Sequence, residues 1–125
     1  MFNNSVKVFL VLGHTDLRGA FDKLAAVTRR LLGMDPTSGA LFLFVNRRGD
    51  RLKALWWDRD GYILLYKRKA TGRFAIPTQV DPARKCIEMT PTEFANLLAG
   101  LPILQERKPT LYGGWSIDQA KKYIN

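Results

Sequence analysis

Residues 40–77 read ALFLFVNRRGDRLKALWWDRDGYILLYKRKATGRFAIP, and this stretch decides the fold. Apolar runs typical of strands, at 41–45, 52–57, 62–66 and 74–76, are separated by turn signals at Arg48-Gly49-Asp50, Asp60-Gly61 and Thr71-Gly72. Glycine accepts the positive φ that tight hairpin loops need, and Asp-Gly between apolar runs is a strong short-range hairpin signal. The stretch therefore predicts a meander of antiparallel hairpins.

Residues 51–57 alternate in polarity, as a strand does when its two faces differ. One face carries Leu52, Ala54 and Trp56, and the other carries Arg51, Lys53, Leu55 and Trp57. This pattern predicts one tryptophan on the core side and a second tryptophan beside two cations. Residues 41–45 are apolar throughout, which is typical of a central strand covered on both faces.

Positive charge is concentrated in the same stretch. Between residues 47 and 73 there are nine cations and three carboxylates, an excess of six out of a net charge of +9 for the whole chain. With a sequence pI of about 10.1, such a chain attracts polyanions through its summed field and through counterion release. No long amphipathic basic helix is evident, so the sequence favours nucleic acid over a membrane surface.

Length and composition are those of one globular domain. A chain of 125 residues with 46% hydrophobic content can bury a core, but it is too short for two independent domains. Cys86 is the only cysteine, which excludes an intrachain disulfide and a thiolate metal cluster. The apolar run at 6–12 contains Lys7 and precedes no cleavage site, so we expect neither a signal peptide nor a membrane span, and a cytoplasmic protein.

The segment before the meander supplies a strand and a helix. Residues 6–12 are rich in β-branched and aromatic side chains and predict a first strand. A helix is expected over residues 17–32, because apolar residues recur there at helical spacing. Thr15 and Asp16 are the expected amino-terminal caps of this helix, and Gly33 is its expected end.

The segment after the meander supplies a short strand at 85–89 and a second helix. Thr90, Pro91 and Glu93 form a capping-box pattern before that helix, and residues 102–125 are expected to form a loose tail with a short helix. Together these elements predict an α+β fold with a single domain over residues 1–101. Its mostly antiparallel sheet has five or six strands, including the hairpin meander, and two helices pack on one face.

Catalytic or metal chemistry has weaker support in the sequence. His14, the only histidine, fits a turn, because no serine or cysteine nucleophile stands in a recognisable setting. Asp16, Asp58, Asp60 and Glu93 could in principle hold Mg²⁺ in a nuclease, but Asp16 and Glu93 also fit helix caps and Asp60 a turn. The glycines do not have the spacing of a phosphate-binding loop. No cofactor, no metal and no catalytic residue are therefore predicted.

The basic and aromatic meander gives the sharper functional prediction. Arginine pairs bidentately with phosphate, and an aromatic ring beside it can stack on an unpaired base. Each aromatic residue alone fits strand packing, whereas charges of one sign this crowded exceed what solubility requires. The predicted nucleic-acid-binding residues are Arg18, Arg47, Arg48, Arg51, Lys53, Trp57, Lys67, Arg68, Lys69 and Arg73.

A series of short motifs runs in order along residues 13–77. They are Gly13-His14-Thr15-Asp16-Leu17-Arg18, Phe21-Asp22, Leu24, Asp35-Pro36, Ser38-Gly39, Phe42-Leu43-Phe44, Asn46-Arg47-Arg48-Gly49-Asp50-Arg51, Lys53, Trp57-Asp58, Asp60-Gly61, Tyr66-Lys67-Arg68, Gly72-Arg73-Phe74 and Pro77. This series resembles the small accessory protein encoded beside the transposase in insertion sequences of the IS-sixty-six type. The resemblance covers about residues 6–101 and departs from the family pattern at Gly19-Ala20, at Ile76 and in the tail.

The resemblance implies a role in transposition beside a separate, larger transposase that carries the catalytic residues. The leading hypothesis is a non-catalytic factor that binds DNA through the basic meander. The second is an adaptor that binds the transposase and uses its charge to complement an acidic partner. The third is a metal-dependent nuclease that uses Asp58 and Asp60. The sequence leaves open whether duplex or single strands are preferred, and which oligomeric state the protein adopts.

Overall fold

The protein folds around one sheet, seen in a computed structural model that describes residues 5–77 and 81–101. In chain order the elements are β1 (Val8–Val11), α1 (Phe21–Leu32), β2 (Leu41–Val45), β3 (Arg51–Asp58), β4 (Gly61–Arg68), β5 (Cys86–Met89) and α2 (Pro91–Leu98). The five strands lie in the order β4-β3-β2-β1-β5. The predicted tail falls outside the described residues.

Strands β2, β3 and β4 form the antiparallel meander that the sequence predicts. Leu43 lies opposite Ala54 in the first hairpin, and Leu55 lies opposite Leu64 in the second. Strand β1 extends this sheet by pairing parallel to β2 and antiparallel to β5. The predicted α+β class with a mostly antiparallel sheet is therefore confirmed, with one parallel pair at its centre.

The two helices pack on opposite faces of the sheet, so the prediction that both lie on one face is wrong. Leu24 of α1 packs in one core cluster with Phe42, whereas Leu97 of α2 packs in another with Leu41 and Leu43. Successive residues of a strand point to opposite faces. Because every residue of β1 and β2 is buried, both faces of the central sheet need a cover.

Helix α1 begins at Phe21, four residues later than the sequence predicts. Its N-cap is Ala20, which makes no capping side-chain hydrogen bond. The Asp16 carboxylate instead accepts hydrogen bonds from the backbone N–H and the guanidinium of Arg18, which holds this segment in a turn. The predicted end is confirmed, because Gly33 adopts a left-handed conformation and donates its N–H to the Arg29 carbonyl.

The segment after β4 differs from the prediction at its start and agrees at its end. Residues 74–76 form no strand; Phe74 is buried against the α2 side of the sheet, and its N–H donates to the Gly49 carbonyl at 2.8 Å. Strand β5 and helix α2 form where the sequence places them. Thr90 and Glu93 make both hydrogen bonds of the capping box, at 3.1 and 2.9 Å.

Neither helix within residues 5–77 and 81–101 combines the length and the apolar character that a membrane crossing requires.

Replacing Thr90 with alanine should lower the free energy of unfolding by about 1 kcal/mol, because the Glu93 N–H at the start of α2 loses its acceptor. Urea denaturation of Thr90→Ala and Thr90→Ser measures this, and serine should restore most of the loss. Equal stabilities of the alanine variant and the parent would contradict the capping role.

Candidate nucleic-acid interface

A cleft of about 460 Å³ opens at one end of the sheet. It lies between the loop that follows β1 and the turn that follows β2, and these two connections meet because parallel strands end at the same edge. The Thr15 N–H donates to the Val45 carbonyl at 2.9 Å and ties the loop to the end of β2. We call this site the arginine cleft, since its lining includes Arg18, Arg47, Arg48 and Arg51.

Hydrogen bonds that Asn46 accepts stabilise the turn that carries three of these arginines. Its backbone carbonyl accepts from the Gly49 N–H at 3.0 Å, and its side-chain oxygen accepts from the Arg51 N–H at 3.0 Å. Gly49 has a φ of 75°, a value that residues with a side chain rarely adopt. Arg47 and Arg48 are exposed at the tip of this rigid turn. Their guanidinium groups therefore face solvent from a fixed backbone.

A second basic group adjoins the arginine cleft. Arg68 lies opposite Arg51 in the β3–β4 pair, and the Lys69 N–H donates to the Asp50 carbonyl at 2.8 Å. Lys69 and Arg73 line a smaller hollow of about 160 Å³ together with Arg48. The basic end of the sheet, as we use the term, consists of Arg18, Arg47, Arg48, Arg51, Arg68, Lys69 and Arg73.

Two carboxylates lie at the basic end and both are held ionised: Asp16 lines the arginine cleft, and Asp50 lines the smaller hollow. The hydrogen bond from Arg18 is the largest cause of a pKa of Asp16 well below its usual range, and Lys23 adds an ion pair at 3.1 Å. The pKa of Asp50 is lowered first by the hydrogen bond from the Asn46 side chain and then by the charge of Arg48. The negative charge of Asp16 therefore neutralises Arg18, and it does not neutralise the arginines of the turn after β2.

Most of the basic end carries no ion pair. Within residues 5–77 and 81–101, no carboxylate lies within 4.0 Å of the cationic groups of Arg47, Arg48, Arg51, Arg68 or Arg73. The last three arginines come from different strands and loops, and the fold brings them beside the first two. An anion approaching this end would meet a positive field with little opposing charge.

All three predicted binding lysines make structural contacts, and Lys69 donates to the Arg73 carbonyl at 3.2 Å with its ammonium 5.6 Å from the Phe74 ring centre. Lys53 is only 8% exposed, and its ammonium donates to the Leu17 carbonyl at 2.6 Å and to the Gly19 carbonyl at 2.8 Å. Lys67 lies on the opposite face and donates to the Leu98 carbonyl. Lys53 and Lys67 bond to segments distant in the chain and hold them against the sheet, whereas Lys69 bonds within its own turn, so Lys69 alone of the three belongs to the basic end.

Trp57 lies at the opposite end of β3 from the basic end. It lies six positions after Arg51, which corresponds to about 20 Å along a strand. Its ring meets the Tyr62 ring edge-on, with centroids 4.9 Å apart, and Tyr62 in turn stacks against Phe21 at 6.5 Å. We call these three residues the aromatic cluster. Trp57 shares a face with Lys53 and Arg51, as the alternation predicts, but it does not join the arginines.

Sequence reasoning missed two contributors to the arginine cleft. Tyr66 lines it, with 54% of its surface exposed and the Lys53 ammonium 5.1 Å from its ring centre. Asn46 shapes the turn, and the signal for it was present, because asparagine favours turns through side-chain to backbone hydrogen bonds. Tyr66 gave no such signal, since a tyrosine in a strand usually indicates packing.

The carboxylates considered for metal binding lie apart. Asp58 and Asp60 flank the turn between β3 and β4, where Asp58 pairs with Arg59 at 3.7 Å, whereas Asp16 is at the basic end. In the described part of the chain no three His, Cys, Asp or Glu side chains come together as metal ligands.

Comparisons with known proteins find one family and two relatives. The model of a family described as IS66 Orf2 like protein matches residues 6–108. Uncharacterized protein y4hO of Sinorhizobium fredii is 37% identical over 97 residues, which cover 78% of this chain and 82% of that protein. Uncharacterized protein y4jC of the same organism is 33% identical over 108 residues, which cover 86% of this chain and 90% of that protein. No solved structure matches the chain.

Replacing Lys53 with methionine should lower the free energy of unfolding by about 2 kcal/mol, because two hydrogen bonds from a charged donor are lost. The loop that lines the arginine cleft should loosen, so the Thr15 amide should exchange its hydrogen faster. Urea denaturation and amide exchange measure the two effects.

Lys67→Met is the matched control, since it removes the same charge and one exposed hydrogen bond. It should cost no more than about 1 kcal/mol. Equal losses in the two variants, or unchanged exchange at Thr15 in Lys53→Met, would contradict the anchoring role of Lys53.

Proposed function

Because the chain belongs to the IS66 Orf2-like family, whose members are accessory proteins associated with transposition, we propose that it assists a separate transposase by binding DNA at the basic end of its sheet. In this proposal the breaking and joining of DNA strands is the task of the transposase, and this chain contributes binding rather than catalysis. The expected site of action is the cytoplasm, where the element and its target DNA lie.

The observation that carries the proposal is the convergence of cations from separate segments on one end of the molecule. The loop after β1, the turn after β2 and the end of β4 each contribute to the basic end. Arginine is suited to phosphate because its planar guanidinium donates two parallel hydrogen bonds to one phosphate group. Contacts of this kind position a protein on DNA without reading its bases.

The geometry of the arginine cleft supports contact with a sugar-phosphate backbone. Arg47 and Arg48 project from a turn whose backbone is held by hydrogen bonds, so this backbone needs little rearrangement when an anion binds. The ion-paired Asp16 lies at the margin beside Arg18 and Lys23, where its charge is already compensated. Tyr66 adds one exposed ring beside Arg51, and such a ring can stack on a base that is not paired.

DNA affinity should fall steeply as salt rises, because phosphate contacts release condensed counterions. Six phosphate contacts predict a slope of log K against log[salt] of about −5 on duplex DNA. Fluorescence anisotropy with a labelled duplex at several salt concentrations measures this slope. Absent binding, or binding that does not respond to salt, would contradict the proposal.

Reversing the charges of Arg47, Arg48 and Arg51 to glutamate should weaken binding and reduce the magnitude of the slope by about 3. The control is Arg30→Glu, Arg59→Glu and Lys85→Glu, which gives the same net charge from exposed residues outside the basic end. Circular dichroism verifies that both variants fold. Equal weakening by both would show that only net charge matters and that the basic end is not the binding site.

A second candidate function is an adaptor that binds the transposase directly. The aromatic cluster favours it, since Phe21 is 41% exposed and stacks on Tyr62, which contacts Trp57 at the end of β3 opposite Arg51. Exposed aromatic residues are enriched at protein interfaces, where they supply large contact areas.

Capture of the transposase of the same element, after nuclease treatment, tests the adaptor. Trp57→Ala and Phe21→Ala should each weaken capture several-fold, whereas Leu31→Ala, which trims an equally exposed apolar residue elsewhere, should not. Capture that disappears with nuclease treatment, or with the arginine reversals instead, would exclude the aromatic cluster as the contact.

A further inference from the structure

Strand β4 ends the sheet, and its outer side pairs with no other strand of the described chain. Hydrogen bonds at the neighbouring turn show which backbone groups face outward. The Lys69 N–H bonds to the Asp50 carbonyl, so Lys69 and every second residue before it turn towards β3. The outward-facing residues of β4 are therefore Tyr62, Leu64, Tyr66 and Arg68.

This edge lacks the features that usually keep an edge strand from pairing. β4 has eight residues in continuous register with β3 and contains neither proline nor a bulge. Its charges are confined to the last two positions, Lys67 and Arg68. Leu65 and Tyr66 are 37% and 54% exposed, so apolar surface accompanies the open backbone groups. A long edge in continuous register, with exposed apolar side chains, is a template for another strand.

We propose that β4 pairs antiparallel with β4 of a second copy of this chain, with Leu65 opposite Leu65 of the partner subunit. In this register Leu64 lies opposite Tyr66 of the partner subunit, and Tyr62 lies opposite Arg68 of the partner subunit. All four outward-facing residues then exchange hydrogen bonds, about eight in total. The two sheets become one sheet of ten strands about a twofold axis.

The charge pattern of β4 favours a second copy as the occupant. Antiparallel pairing places Lys67 opposite Ile63 of the partner subunit, and each Arg68 beside an aromatic ring, so no cation faces another across the ladder. Arginine over a tyrosine ring is a favourable contact, whereas like charges directly opposite are destabilising. At each end of the ladder the residues of β4 are complementary to those of the second β4, and an interface with twofold symmetry requires such self-complementarity. The inference does not depend on DNA binding.

Charge substitutions at Leu65 test the pairing, because only in this register does Leu65 lie opposite its own copy. Leu65→Lys and Leu65→Glu should each raise the dimer dissociation constant at least about tenfold, since like charges then meet at the twofold axis. An equimolar mixture of the two variants should form dimers again. Sedimentation velocity of the full chain without DNA, over a range of concentrations, measures the dissociation constants of the parent, the two variants and their mixture.

Leu31→Lys is the matched control, since Leu31 is 41% exposed and lies on the side of α1 away from Arg29, a helix residue whose charge acts on Tyr62 of β4. It should leave the dissociation constant unchanged. A parent chain that is monomeric at every concentration would overturn the proposal, and the edge of β4 would then be available to a strand of another protein. A dimer that tolerates both charges, or a mixture that stays monomeric, would overturn it as well.

A disulfide provides a second, independent measurement. Opposite residues at a non-hydrogen-bonded position of the ladder have Cβ atoms at about 4.5 Å, the short end of the range for opposite pairs, which permits a bond between two Leu65→Cys copies. Oxidised Leu65→Cys should run as a covalent dimer on a non-reducing gel, and Leu31→Cys should not. The native Cys86 should stay reduced, because it is buried and burial raises its pKa to about 12. Equal dimer yields from the two cysteine variants would contradict the register.

Discussion

The parallel pairing of β1 with β2 is the constraint on which the rest of the structure depends. Parallel neighbours require a crossover connection, and α1 supplies it by lying across one face of the sheet. That helix leaves the other face of two fully buried strands uncovered, and α2 covers it. The same pairing brings the ends of β1 and β2 to one edge. The arginine cleft is therefore a consequence of topology, since Arg18 and Arg47 meet only because their strands run side by side.

Local signals in the sequence were sufficient for the elements whose partners are neighbours in the chain. The hairpins of β2, β3 and β4 depend on turns between adjacent strands, and the start of α2 depends on Thr90 and Glu93 alone. The start of α1 could not be predicted this way. Asp16 has the chemistry of a cap, but Arg18 and Lys23 compete for its carboxylate and keep the preceding turn out of the helix. The contacts of Asp16 with Arg18 and Lys23 therefore outweigh its capping propensity at this position.

The basic character of the site was readable from the sequence, but its membership was not. Charge counts do not distinguish a solvated lysine from one that bonds to carbonyls, and Lys53 became a structural residue because the loop before α1 passes over its strand. Strand alternation put Trp57 on the correct face, yet position along the strand separated it from the arginines. Which cations gather depends on the strand order, and the parallel pair in that order leaves no local trace in the sequence.

The two ends of the sheet bear different kinds of surface, and pairing through β4 would relate both to a second copy. An antiparallel dimer places the two copies of Arg68 six residues apart along the ladder, about 20 Å, at opposite ends of the joined sheet. Each basic end then faces away from the other, so, if the basic end binds DNA as proposed, one dimer holds two DNA segments rather than one segment twice. Linking two binding sites makes the second contact intramolecular and raises its effective concentration without any new side-chain interaction. If the protein assists a transposase as proposed, a sheet edge that dimerises would contribute to that role alongside the arginines, because the reaction of a transposase joins the ends of an element to a target.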